Sequence, residues 1–235
     1  MGRHFEVRAA AMGRTAAKKS ALFMRASKEI YMAAKTGEPN PDSNLALRAA
    51  IEKYKGQGVT KDVVERAIKK AAGGEVEAYY SGRYEAFGPG QSLLIVDSLT
   101  DNTNRALTDI KTAITKKGGH LATVNYNFTE NGVLVFQSDK SKDEIEENLI
   151  LGDVDLREVS IQDGYVEVLV EPTSFGAAKA VLTDLGIETF EVAEIKMLPN
   201  ETVTMEGEDL ERFKQLLDVL DELQDVQAVY HNVDF

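Results

Sequence analysis

Apolar and polar positions along the chain follow two periods, and the change between them falls near residue 79. From Lys18 to Lys35, Phe23, Ala26, Ile30 and Ala33 gather on one side of a helix of 3.6 residues per turn. Gly37 and the Glu38-Pro39-Asn40-Pro41 turn end that helix. Asp42 or Ser43 is expected to cap a second helix carrying Leu45, Leu47, Ile51 and Tyr54. Thr60 is expected to cap a third, with Val64, Ala67, Ile68 and Ala71 on one face and Gly73-Gly74 at its end. Residues 1–17 hold too few large apolar groups to pack and are expected to order only on binding.

Beyond residue 79 short β-type runs alternate with helical ones. Strands are expected at 91–99 and 121–128 around a helix at 104–117. Further strands follow at 132–137, 155–161, 165–171 and 189–197, with helices near 142–151 and 175–185. These six elements from residue 132 spell β-α-β-β-α-β, the split βαβ order. The tail adds a short strand at 202–205, a helix with Leu210, Phe213, Leu216, Leu217, Leu220 and Leu223 on one stripe, and a strand at 226–233. An α/β fragment that small cannot bury its own faces. The tail is therefore expected to complete the 91–128 segment, with the intervening unit inserted between them. The fold class is α+β: a three-helix basic head followed by two split βαβ (ferredoxin-like) domains, the third inserted into the second. The expected boundaries are 1–78 for the head, 79–130 plus 200–235 for the central domain, and 131–199 for the insert.

Charge changes this picture from fold to partner. Residues 1–74 hold 15 Lys and Arg against 7 Asp and Glu, a net of +8. The remaining 161 residues hold 12 against 32, a net of −20. A cationic end on an anionic body binds a polyanion while the body repels stray contacts with it. Nucleic acid, DNA or ribosomal RNA, is therefore the expected partner. The expected contacts are Arg3, Arg8, Arg14, Lys18, Lys19, Arg25, Lys28, Lys35 and Arg48, several of them opposite the apolar side of the first helix. The head offers few Asn or Gln to pair with base edges, so backbone or shape recognition is expected.

Catalytic chemistry finds little support. His4, His120 and His231 are far apart, and no phosphate-binding, nucleophile-elbow or zinc-protease motif occurs. Cysteine is absent, which removes disulfides and thiolate sites and suits a reducing cytosol. No apolar run reaches the ~18 residues of a membrane span. No enzyme activity, metal, cofactor, small-molecule substrate or membrane contact is expected, and the expected location is cytoplasmic. Gly88-Pro89-Gly90 reads as a plain turn rather than a phosphate loop. The acids at 143–147 and 206–211 fall at helix N-termini, where they favour the macrodipole. Asp101-Asn102-Thr103-Asn104-Arg105 has two readings. One is a helix cap through Asp101 or Thr103; the other is a partner-binding loop using Asp101, Asn102, Asn104 and Arg105.

Several segments together resemble one family. They are Met1-Gly2-Arg3 with Phe5-Glu6, Glu29 to Lys35 (EIYMAAK), Pro39 to Asn44 (PNPDSN) with Leu47-Arg48, and Val63 to Gly74 (VVERAIKKAAGG). Tyr84-Glu85 before Gly88-Pro89-Gly90, Leu99 to Arg105 (LTDNTNR) and Gly118 to Leu121 (GGHL) complete the set. The combination resembles the YebC family over the whole chain, and its opening is similar to the YeeN-like branch. Residues 151–155 (LGDVD) depart from the family's usual run. The resemblance implies a helical basic head, a central α/β domain and an inserted third, with no enzyme activity. It also implies DNA-binding transcriptional regulation. The alternative it carries is a ribosome-associated translation factor, since some members resemble a mitochondrial translational activator of cytochrome oxidase or help ribosomes through consecutive prolines. A small-molecule-sensing module is a third reading, resting on fold class alone.

Overall fold

A computed structural model describes residues 16–73 and 77–235. Among these, the chain forms two compact units, one of residues 128–198 and the other of residues 16–127 with 199–235.

The larger unit begins with three helices, α1 (Ala16–Thr36), α2 (Leu45–Gly56) and α3 (Lys61–Ala72). Leu22, Ala26, Ile30 and Ala34 recur at helical spacing on α1 and bury against Leu47, Ala50 and Tyr54 of α2 and Val63, Ala67 and Ala71 of α3. The alanines let the helix axes approach closely, while Ile30, Tyr31, Leu47 and Tyr54, all below 2 % or at 2 % exposure, fill the remaining space. Asn44, not Asp42 or Ser43, caps α2 by accepting the Leu47 N–H at 3.0 Å. Its amide also donates to the carbonyls of Ala33 and Glu38, each at 2.8 Å, so one side chain ties both ends of the interhelical turn. Gly37 makes room for it, since a Cβ there would come within 2.5 Å of the Asn44 amide nitrogen.

The same unit then forms a four-stranded antiparallel sheet in the order β3-β1-β2-β9. Its strands are β1 (Tyr80–Phe87), β2 (Leu93–Thr100), β3 (His120–Leu121) and, after the insert, β9 (Val226–His231). Helix α4 (Thr103–Lys116) links β2 to β3 with β1 lying between them, which is a split βαβ. β1 is an addition to the expected elements: Gly82 and charged Arg83 and Glu85 hide its alternation. Conversely, the expected strand at 121–128 shrinks to the two residues of β3, followed by a 3-10 turn at Asn125–Asn127. The Glu85 carboxylate explains the break, because it accepts the N–H groups of Val124 and Asn125, each at 2.7 Å, that a strand would have spent on pairing. Helix α7 (Gly207–Glu222) packs beside α4 on one sheet face. Phe213, Leu216 and Leu220 of α7 meet Ile110 and Ile114 of α4 and Leu94 and Val96 of β2. Short strands β8 (Val203–Thr204) and β10 (Val233–Asp234) pair in parallel.

The smaller unit runs β4 (Phe128–Gln137), α5 (Lys142–Leu151), β5 (Leu156–Gln162), β6 (Tyr165–Val170), α6 (Phe175–Asp184) and β7 (Val192–Pro199). Its sheet order, β5-β6-β4-β7, is the ferredoxin-like arrangement of a β-α-β-β-α-β chain. Leu134 and Phe136, Val166 and Val168, and Ile145, Leu149, Ala178 and Leu182 of the two helices form its core. Ser141 caps α5 by accepting the Glu144 N–H, and Asp143 and Glu144 sit in the first turn.

Candidate nucleic-acid interface

Nine cations of the head were the expected nucleic-acid contacts, and the structure sorts them. Arg3, Arg8 and Arg14 lie outside the described residues. Lys18, Arg25 and Lys28 share one face of α1, and that face meets an acidic row. Lys18 Nζ lies 2.5 Å from Asp218. Arg25 Nη1 lies 2.7 Å from Asp221. Lys28 Nζ lies 2.6 Å from Asp225. The acids fall on one side of α7 and just past its end, so two rows from distant parts of the sequence neutralise each other. Arg25 and Lys28 are buried, and Lys28 donates in addition to the backbone carbonyls of Leu99 and Gln224 at 3.1 and 3.0 Å. An ammonium has three protons, and these three acceptors use them all.

Asp225 joins that row to the Asp101–Arg105 loop. It is 4 % exposed and also accepts from Arg105 Nε at 2.8 Å and Nη2 at 3.0 Å. Burial alone would push its carboxyl up, but the hydrogen bonds from Arg105 and Lys28 outweigh that and hold it below the ordinary value. Arg105 is driven further toward its charged form by the Asp225 and Asp101 carboxylates. Asn102 caps α4 by accepting the Arg105 N–H at 3.0 Å, in place of the expected Asp101 or Thr103. Thr100 Oγ1 accepts from Asn102 N at 3.0 Å. Asn102 and Arg105 therefore serve the fold directly; Asp101, exposed itself, accepts from Arg105 Nη2 at 2.6 Å, and Asn104 is exposed.

Lys19, Lys35 and Arg48 remain at the surface. Lys19 Nζ sits 5.7 Å from the Phe23 ring centroid. Lys35 reaches the Ala71 carbonyl at 3.4 Å. Arg48 holds the preceding turn through the carbonyls of Pro41 and Asp42 at 3.1 and 2.8 Å. α2 and α3 add exposed cations that charge clustering on α1 overshadowed: Lys55, Lys61, Arg66, Lys69 and Lys70. Lys61 pairs with Glu65 and Lys70 with Glu77. Lys55 and Lys69 form no ion pair among the described residues. The signal for Arg66, Lys69 and Lys70 was present in their spacing, which sets them away from the buried Val63, Ala67 and Ala71. No Asn or Gln occurs on any of the three helices, so their surfaces suit phosphates rather than base edges.

Among the described residues, no cluster of His, Asp or Glu is placed to hold a metal ion, and no helix is long and apolar enough to cross a membrane.

Comparison with known proteins finds similarity along nearly the whole chain. Residues 3–74 match the TACO1/YebC protein N-terminal domain, and residues 79–233 match the TACO1/YebC second and third domain. The probable transcriptional regulatory protein Mfl546 of Mesoplasma florum is 46% identical over 235 residues, covering 99% of each chain. The crystal structure of a conserved hypothetical protein of Aquifex aeolicus, Aq1575, superposes with a TM-score of 0.75 at 32% identity, covering 94% of this chain and 92% of that one.

Proposed function

Because this chain belongs to the TACO1/YebC family, we infer that it is a non-catalytic regulator of gene expression that binds nucleic acid through its helical head. The observation that carries this reading is the cationic surface left on the head after Lys18, Arg25 and Lys28 are neutralised. Lys19, Lys35, Arg48, Lys55, Arg66 and Lys69 supply it. The Mesoplasma florum relative is named a probable transcriptional regulatory protein, which favours transcription. Recognition is through phosphates and groove shape, with sequence preference supplied by deformability of the duplex rather than by base contacts. We place this role in the cytoplasm.

The net charge of −20 outside the head favours a second reading, a ribosome-bound translation factor. An anionic body is repelled by bare duplex but matches the basic proteins of a ribosome. The two readings separate in one experiment, binding of the purified protein to a promoter fragment, random duplex and purified ribosomes at physiological salt. Preference for the promoter supports transcriptional control. Saturable binding to ribosomes with loss of both duplexes supports the translation reading. Absence of binding to all three contradicts both.

A further inference from the structure

The smaller unit carries an apolar tip in an anionic setting. Residues 128–198 hold 16 Asp and Glu against 5 Lys and Arg. Helix α5 begins with Asp143 and with Glu144, which pairs with Lys140 at 2.5 Å, continues with exposed Glu147, and ends in Ile150 and Leu151, which are 64% and 78% exposed. Positions 143, 147 and 150, and positions 144 and 151, fall on adjoining lines of the same outer helix surface. That surface thus runs from carboxylates to two large aliphatic groups within ten residues. The tip is held in place: a Cβ on Gly152 would come within 2.4 Å of Val181 of α6, so the chain passes tightly against that helix before turning at Asp153 with φ 56°. Packing does not require the two aliphatic groups there, since Ile145 and Leu149 already supply the inward face of α5. Asp153 and Asp155, both exposed, continue the negative charge past the tip.

We propose that the Ile150–Leu151 tip with the acidic ridge of α5 is a docking surface for a basic protein that presents an aliphatic pocket bordered by Lys or Arg. The charge of the unit selects this occupant. A nucleic acid would be repelled by the carboxylates, and a second copy would bring the same acids together. A cationic protein surface gains from both features, because the aliphatic pair anchors the contact and the acidic rim steers it. This surface goes beyond the nucleic-acid reading of the head and does not depend on it.

The test is fluorescence anisotropy of the full chain with a labelled synthetic amphipathic helix bearing Lys on one face and Leu on the other. The same helix with Glu for Lys, labelled and titrated separately, serves as the control. Binding to the Lys helix is expected, with at least about a tenfold loss in the Ile150→Ser/Leu151→Ser variant and a similar loss in Asp143→Asn/Glu147→Gln. Because all four side chains reach solvent, thermal melting checks that these variants stay folded. Equal binding of the Glu helix, unchanged binding in the serine variant, or no binding at all would overturn the proposal. So would sedimentation showing a dimer that the serine variant loses.

Discussion

Lys28 and Asp225, 197 residues apart in sequence, form an ion pair at 2.6 Å with side chains 6% and 5% exposed. Their contact joins α1 to the segment that follows α7, and Arg105 completes the charge balance around the carboxylate. Breaking such a pair leaves a desolvated charge, which costs about 3–5 kcal/mol when no other partner remains. Arg105 remains here, so Lys28→Met is expected to cost about 2–4 kcal/mol in urea denaturation. Lys28→Arg should not rescue it, because a planar guanidinium cannot meet the three converging acceptors that an ammonium satisfies. A double-mutant cycle of Lys28→Met with Asp225→Asn should return a coupling above about 1 kcal/mol. Additive effects would show that the two residues act independently.

Asn44 offers a second, local test. Its carbonyl caps α2 while its amide serves two carbonyls of the preceding turn. Asn44→Ala is expected to cost about 2 kcal/mol, near the upper end for a cap because two further bonds go with it. Asn44→Asp keeps the cap but turns an oxygen toward the two carbonyls, so it should not restore stability. Full rescue by Asp in thermal melts would mean that only the cap matters.

pH dependence should have two separate windows. The His231 imidazole lies edge-on to Phe213 at 5.2 Å and stacks on Phe235 at 5.9 Å. Burial pushes it down to about 4 from 6.5, with a backbone hydrogen bond at Val233 opposing the shift. The unfolded chain therefore binds this proton more readily, and its neutral form contributes stability that is complete above pH 6.5 and falls away toward pH 4. Between pH 7 and pH 5 the loss should be about 2 kcal/mol, and His231→Phe should remove most of it. Asp225 acts lower. Its depressed value gives stability that is present above 3.8 and is lost only as pH falls through the folded value. Urea titrations at pH 7, 5 and 3.5 check both windows, and a His231→Phe variant still losing stability between pH 7 and 5 would assign that window elsewhere.

The three head helices and the six elements of the insert were legible because their buried positions keep a strict local period. Ala26 and Ile30 need only their own helix to be read, although the stripe is completed by Leu22 and Ala34 while the expected Phe23 and Ala33 are only partly buried. β1 escaped because Gly82, Arg83 and Glu85 interrupt its alternation, and the end of the 121–128 run escaped because Glu85, 39 residues from Val124, captures its N–H groups. The candidate site shows the same limit more sharply. Lys18, Arg25 and Lys28 segregate on α1 as a nucleic-acid face would, but segregation cannot distinguish a partner in solution from Asp218, Asp221 and Asp225 of the same chain. Local spacing identifies a charged face, and only tertiary pairing decides what it meets.

The central claim is that the head binds phosphates with its outward cations and not with its inward row. The direct measurement is the salt dependence of duplex binding for the unaltered chain, Lys55→Glu/Lys69→Glu, and Lys18→Gln. On the phosphate reading, log Kd changes with log salt at about 0.9 per contact on duplex DNA, and each outward reversal removes about one contact. The outward double variant should therefore bind more weakly with a slope reduced by about two contacts, while Lys18→Gln leaves the slope unchanged. An unchanged slope in the outward variant, or a reduced one in Lys18→Gln, would contradict this account.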